Sequence, residues 1–354
     1  MSASTTARPA AVRLLCNPLL TLRSISTSSP AATSTAPRHF LSIGDLTPKE
    51  LSTLVRQATK AKHAIKAGTV PESLKGTLTG KTIAMMFSKR STRTRVSTEA
   101  AVVYMGGHPM FLGKDDIQLG VNESLYDTSV VISSMTSCIV ARVGPHSDIA
   151  ELAKHSSVPV INALSDLYHP LQAVTDIMTI SEAFPSGIAG LKVAWVGDAN
   201  NVLYDLMIAC AKMGINVSIA TPANYPVDPG MLATTEAAAK LSGSKIEVTT
   251  DPIVAVRDAN VIVTDTWVSM GQESEKKIRL AQFEGYQVST KMAAKAHKDW
   301  KFMHCLPRKP EEVTNEVFYS DRSLVFTEAE NRLYAAIAAL EAFVVKKGKF
   351  EEDE

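Results

Sequence analysis

The sequence predicts an α/β fold of two domains, each a parallel sheet covered by helices. Three observations lead there. From residue 40 onward, short and wholly apolar runs alternate with segments of helical period, the pattern of doubly buried strands joined by helices. The chain has 354 residues, more than one ordinary core accommodates. Pro185-Ser186-Gly187 and Gly190 interrupt the pattern midway, and a fresh apolar run follows at 192–196.

Residues 1–38 stand apart. They contain Arg8, Arg13, Arg23 and Arg38, thirteen Ser or Thr, and no Lys, Asp or Glu. Basic, hydroxyl-rich and acid-free is the character of an organelle transit peptide, with a disordered tail as the competing reading. Leu14, Leu15, Leu19, Leu20 and Leu22 supply an apolar side, broken by Asn17 and Pro18 too early for a secretory signal. Beyond it, Thr47-Pro48-Lys49-Glu50 opens a helix with a capping box and a proline in the first turn. Leu51, Leu54, Val55, Ala58, Ala61 and Ile65 continue it at helical spacing, and Gly68 ends it. Residues 82–87 read as the first buried strand. Further strands are expected at 138–141, 158–161, 192–196, 216–220, 260–264 and 301–303. A helix starts near Pro170, the domain boundary falls within or just after it, and a last helix covers about residues 331–345.

Composition narrows the function. The formal net charge is +1, which leaves no basic footprint for nucleic acid. No apolar run reaches the roughly 18 residues of a membrane helix. Cys16, Cys138, Cys210 and Cys305 are dispersed, which disfavours a disulfide framework or a structural zinc site and fits a reducing compartment.

The chemistry-bearing segments follow strands. Ser88-Lys89-Arg90-Ser91-Thr92-Arg93-Thr94-Arg95 joins the first strand to a helix. Such a turn presents free backbone N–H groups and the positive end of a helix dipole. Ser91, Thr92 and Thr94 add hydroxyls and Arg93 a planar fork, making an anion cradle without a nucleotide loop's glycines. A solvated basic helix start or a phosphorylation site competes. Arg142 ends the run 138–141, at the carboxyl end of a strand where open α/β sheets bind ligands; a surface ion pair is the alternative. His169-Pro170-Leu171-Gln172 opens a helix with His169 and Gln172 three residues apart on one side, although a histidine there can also be a plain cap. Gly197-Asp198-Ala199-Asn200-Asn201 lacks G-x-G-x-x-G, against a nicotinamide cofactor. Asn201 offers a donor and an acceptor, with ordinary Asx turn chemistry competing. Asp265, in Asp265-Thr266-Trp267-Val268-Ser269-Met270-Gly271, supplies a carboxylate for an ammonium group. Cys305, in His304-Cys305-Leu306-Pro307-Arg308, stands near cations that would lower its pKa and make it a base, unless it is an inert buried thiol.

Together these segments resemble the aspartate/ornithine carbamoyltransferase family, over nearly the whole chain after about residue 39. The turn at 91–95 and His169–Gln172 mark the wider family; Ser269-Met270-Gly271 and His304-Cys305-Leu306-Pro307 are similar to its ornithine branch. The resemblance implies transfer of a carbamoyl group from carbamoyl phosphate to the side-chain amine of L-ornithine, giving L-citrulline and phosphate. It implies a carbamoyl phosphate domain at 39–176, an ornithine domain at 177–330 and a C-terminal helix, 331–354, returning to the first domain. It further implies a homotrimer with sites at subunit interfaces, a mitochondrial matrix location reached through the leader 1–38, and no nucleic-acid or membrane partner. No metal or redox cofactor is expected, in keeping with the lack of ligand clusters in the sequence. Carried over, Ser91, Thr92, Arg93, Thr94, Arg142, His169, Gln172, Cys305, Leu306 and Arg332 bind carbamoyl phosphate. Gln118 would reach a neighbour's phosphate site. Asn201, Asp265, Ser269 and Met270 bind ornithine, and Cys305, His169 and Arg142 are catalytic. Competing readings are a carbamoyltransferase for aspartate, putrescine or an N-acylated ornithine, a phosphopeptide or RNA binding module, and a dehydrogenase.

Overall fold

The computed structural model describes residues 36–116, 123–269 and 273–350. Gln118 and Met270 lie outside the described residues, as does the leader up to residue 35.

Two parallel sheets form the frame. In the first domain, β1 (Thr82–Phe87), β2 (His108–Gly113), β3 (Cys138–Arg142) and β4 (Val160–Leu164) lie in the order β2-β1-β3-β4. The helices α1 (Pro48–Lys66), α2 (Thr92–Tyr104), α3 (Leu125–Met135), α4 (His146–His155) and α5 (Pro170–Ala183) accompany them. In the second domain, β5 (Lys192–Val196), β6 (Asn216–Ala220), β7 (Ile246–Thr249), β8 (Val261–Val263) and β9 (Lys301–Met303) take the order β7-β6-β5-β8-β9. The helices α6 (Asn201–Lys212), α7 (Pro229–Ser242), α8 (Pro252–Val256), α9 (Lys276–Gln282), α10 (Thr290–Ala293) and α11 (Asn315–Phe318) belong there. The last helix, α12 (Val325–Leu340), lies against α1, α2 and α5 of the first domain. Its buried residues, among them Tyr334, Ile337 and Leu340, join a core that also takes in Leu54, Val102, Leu171 and Val174.

Local chemistry accounts for the boundaries. Thr47 caps α1 through the N–H of Glu50, and the Glu50 carboxylate returns to the Thr47 N–H. Gly68, at φ +82°, takes the left-handed turn that follows α1. The central strands are buried along nearly their whole length, as strands covered on both faces must be. Gly197, at φ +148°, ends β5, and a Cβ there would sit 3.2 Å from the Thr264 hydroxyl. Each sheet reverses strand order once, between β1 and β3 and between β5 and β8. Ligands in open α/β sheets bind beyond the carboxyl ends of the strands at such reversals.

Three expectations change. β2 and β7 escaped prediction because they are edge strands with polar or mixed faces. β4 begins two residues later than the apolar run it was read from. The last helix begins at Val325, with a π turn over Glu341–Val345, so Glu328 lies on the same helix as Arg332.

Arg38, the final residue of the expected leader, is part of the fold. Its guanidinium donates to both Glu50 carboxylate oxygens, to the Gly348 carbonyl and to the Asp45 carbonyl, and it lies over Phe343 and Phe350. A two-pronged ion pair seated on aromatic rings contributes about 1 kcal/mol. Arg38→Ala should therefore lower the thermal unfolding midpoint measured by calorimetry; an unchanged midpoint would show that the clasp contributes nothing.

Candidate active site

The first half of the site forms where β1 and β3 end. Ser91 caps α2, its hydroxyl accepting from the Thr94 N–H at 3.3 Å, which leaves the N–H groups of the first turn for another acceptor. Arg142 is the last residue of β3 and is buried. The β3–β4 register slips between Ala141 and Arg142, and such slips re-aim a side chain. Arg332 comes from α12 and donates to the Thr94 hydroxyl at 3.1 Å and to Gln172 Oε1 at 2.7 Å. Thr92 is exposed at the helix start. Arg95 faces elsewhere, paired with Glu99 at 2.9 Å and over Phe111.

Electrostatics give this region its character. Burial, and then the charges of Arg332 and Arg93, lower the Arg142 guanidinium to about 10. Burial likewise brings Arg332 to about 10. Both remain protonated near neutrality. His169, the N-cap of α5, is driven well below its usual value by burial and by Arg332, Arg142 and Arg93, so its imidazole is neutral. Nε of Arg142, Nε of Arg332 and Nδ1 of His169 are buried without a hydrogen-bond partner among the described residues. An unpaired buried polar group costs about 1–3 kcal/mol. A cluster of such donors beside several guanidinium groups is suited to one multiply charged anion.

The second half comes from the other domain, at the carboxyl ends of β5, β8 and β9. Asp265 follows β8 and is buried. Its Oδ2 accepts from the Asn200 amide at 2.8 Å and its Oδ1 accepts from the Cys305 thiol at 3.2 Å. Asn200 also caps α6 through Val202 and Leu203, so one residue fixes both the helix start and the carboxylate. The expected Asx role thus falls to Asn200. Asn201, the residue expected at ornithine, gives its amide N–H to the Ser165 carbonyl at 2.6 Å. Ser269 is half-buried at the edge of the described loop. Asp198 is engaged in a buried ion pair with Arg279 at 3.0 Å.

Residues 304–306 join the halves. His304 is buried, with Nδ1 accepting from the Leu306 N–H at 2.9 Å and Nε2 paired with Glu312 at 3.1 Å. Leu306, at φ +61° before a cis peptide, presents its carbonyl to Arg93 at 2.6 Å. The expected contribution of that carbonyl is therefore made to an arginine of the other domain. The sequence suggested no ligand cluster, yet the fold brings Asp265, His304 and Cys305 together, with one ligand atom of each within 4.8 Å of the others. Both His304 nitrogens are already bonded, so that imidazole is not free to bind an ion.

One expectation is corrected. The thiol of Cys305 was read as lowered by nearby cations; it is instead raised well above its usual value, first by burial and then by Asp265 and Glu328. It is a neutral thiol that donates to Asp265. Sequence reading also missed Asn200, Asp176 and Glu328, whose importance shows only in which partners they reach.

A cationic helix start in one α/β domain, tied through the Leu306 carbonyl to a loop that carries a carboxyl–thiol pair in the other, defines a two-domain protein class. Residues 38–182 match the family model described as the carbamoyl-P binding domain of aspartate/ornithine carbamoyltransferase, and residues 189–343 match its Asp/Orn binding domain. The mitochondrial ornithine carbamoyltransferase of Emericella nidulans is 63% identical over 344 residues, covering 94% of this chain and 96% of that protein. That of Coccidioides immitis is 65% identical over 329 residues, covering 88% and 94%. Its crystal structure is 64% identical with a TM-score of 0.84, covering 89% of this chain and 99% of that one. The ornithine carbamoyltransferase structure from Pyrococcus furiosus is 45% identical with a TM-score of 0.83, covering 88% and 98%. The chain belongs to the aspartate/ornithine carbamoyltransferase family.

The thiolate fraction of Cys305 should be smaller at pH 7 than that of a free cysteine, whose pKa is about 8.5. Iodoacetamide should label Cys305 more slowly than free cysteine at pH 7, with the rate rising past pH 9. Faster labelling at pH 7 would restore the low-pKa reading.

Proposed function

We propose that the protein is an ornithine carbamoyltransferase, making L-citrulline and phosphate from carbamoyl phosphate and L-ornithine. The observation that carries this reading is the pairing of an unneutralised guanidinium cluster with a carboxyl–thiol pair across the two domains. The loop after β8 distinguishes the amine. An aspartate enzyme would need cations there, whereas the stretch 265–271 contains Asp265 and no Lys or Arg.

The division of labour follows from the donors. The phosphate of carbamoyl phosphate takes the N–H groups and hydroxyls of Ser91, Thr92 and Thr94, with Arg93 and Arg142. Gln118 is the residue we assign to a neighbouring subunit's phosphate. Neutral His169, with Arg142 and Thr94, donates to the carbonyl oxygen, while Gln172 reads the carbamoyl amide. Leu306 and Arg332 hold this end in place. Ornithine's amine, with an ordinary pKa near 10.4, arrives as an ammonium and is held by Asp265. Asn201, Ser269 and Met270 hold the amino-acid end.

In the chemical step the ammonium gives up a proton towards the Asp265–Cys305 pair. The neutral nitrogen attacks the carbonyl carbon and the C–O bond to phosphate breaks. A nitrogen–carbon bond replaces an oxygen–carbon bond, the electron pair of the broken bond leaves on phosphate, and the second proton of the attacking nitrogen passes to that departing phosphate. Negative charge builds on the carbonyl oxygen, where one well-placed donor is worth about 3–4 kcal/mol. Because the Cys305 thiol is neutral, it acts as a relay that already donates to Asp265. Holding two substrates side by side supplies much of the remaining acceleration.

The 39–176 lobe with the returning 331–354 segment serves as the carbamoyl phosphate domain, and 177–330 as the ornithine domain. The homotrimer with sites at its interfaces belongs to the same reading. The relatives are named mitochondrial, which supports a mitochondrial location. We place the enzyme in the matrix, reached through a leader within residues 1–38 whose removal spares Arg38. Among the described residues no helix is long and apolar enough to cross a membrane.

The test is a citrulline assay with carbamoyl phosphate and a panel of amines. Turnover should require ornithine, with aspartate, putrescine and N-acetylornithine inactive; no turnover with ornithine would overturn the reading. Arg93→Ala should lower kcat/KM by about 10²–10³-fold or more, with the fold retained by circular dichroism. Near-normal turnover would remove the phosphate role.

A further inference from the structure

Gln172, the third residue of α5, is buried. Its carboxamide is almost fully committed inside the protein. Nε2 donates to Asp176 Oδ1 at 2.7 Å and to Glu328 Oε1 at 2.9 Å. Oε1 accepts from Arg332 at 2.7 Å. An amide nitrogen has two hydrogens, and both are used; an amide oxygen has two lone pairs, of which Arg332 takes one. What Gln172 still offers is one acceptor position, suited to an N–H donor and unsuited to a carbonyl or phosphate oxygen.

Glu328 occupies a second strategic contact. Its other oxygen, Oε2, accepts the backbone N–H of His304 at 2.9 Å, the residue before Cys305. One buried carboxyl on α12 therefore touches the amide reader of the first domain and the thiol loop of the second.

We infer that Glu328 is a positioning residue: it holds the Gln172 carboxamide with its oxygen available to the carbamoyl NH2 and ties that orientation to the seating of residues 304–306. The inference rests on the carbamoyl phosphate reading above and deepens it. Were the amide to flip, its NH2 would meet the Arg332 guanidinium and its oxygen would face two carboxyl groups. Burial raises both the Asp176 and the Glu328 carboxyl, and the charge of Asp176 raises Glu328 further. A proton shared between them lets the two carboxyls sit together against one amide. Asp176 alone cannot do the same work, because no hydrogen bond links it to the 304–306 loop among the described residues.

The orientation should matter for a ligand with an amide and not for one without. Glu328→Gln keeps the size of the side chain but turns one of its two accepting oxygens into an NH2; Glu328→Asp keeps the carboxyl but shortens the reach. Each full-length variant is compared with wild type in initial-rate kinetics, after circular dichroism confirms the fold. The KM for carbamoyl phosphate should rise about tenfold or more, the loss expected for a hydrogen bond to a charged group. The inhibition constant of inorganic phosphate, which has no NH2, should stay within about twofold. An unchanged KM would overturn the inference. So would an equal weakening of both ligands, the result of general disturbance of the pocket. If Glu328→Gln does not fold, Glu328→Asp carries the same two outcomes. Failure of the wild type to make citrulline would instead remove the underlying reading.

Discussion

The architecture turns on positive charge held where water cannot screen it. Burial lowers Arg142 and Arg332, the charge of Arg93 adds to both effects, and burial together with the three guanidinium groups drives His169 well below its usual value. Left alone, such a group destabilises the fold, since buried charge is costly unless paired. Each comes from a different element: a helix start, a strand end and a helix returning from the far end of the chain. The core that α12 shares with α1, α2 and α5 holds Arg332 against this repulsion.

The opposite lobe answers with the other sign. Asp265 is fixed by Asn200 on one oxygen and by the Cys305 thiol on the other. The Arg93 contact to the Leu306 carbonyl and the Glu328 contact to the His304 N–H cross between lobes. Both use backbone groups of one short loop, so the position of that loop is set jointly by Arg93 and Glu328.

How much of this was legible in the sequence depended on whether the cause was local. The capping box at Thr47, the strand 82–87 and the turn at 91–95 were readable because neighbouring residues determine them. β2 and β7 were not, since an edge strand owes its shape to its partner more than to its own pattern. The state of Cys305 was misread because His304 and arginines suggested a low pKa, whereas the fold buries the thiol and brings Asp265 and Glu328 to it. Asn200 and Glu328 looked like an ordinary turn residue and an ordinary helix glutamate. Their weight comes from partners 65 and 156 residues away.

The central claim is that one anion on the guanidinium cluster and one amine on Asp265 lie within bonding reach. A crystal structure with a bisubstrate analogue, joining a phosphonate through a carbonyl to the ornithine skeleton, tests it directly. The account predicts the phosphonate on Ser91–Thr94, Arg93 and Arg142, the carbonyl oxygen against His169, and the ornithine end between Asp265 and Cys305. A phosphonate bound away from Arg93 and Arg142, or an ornithine end turned away from Asp265, would contradict it.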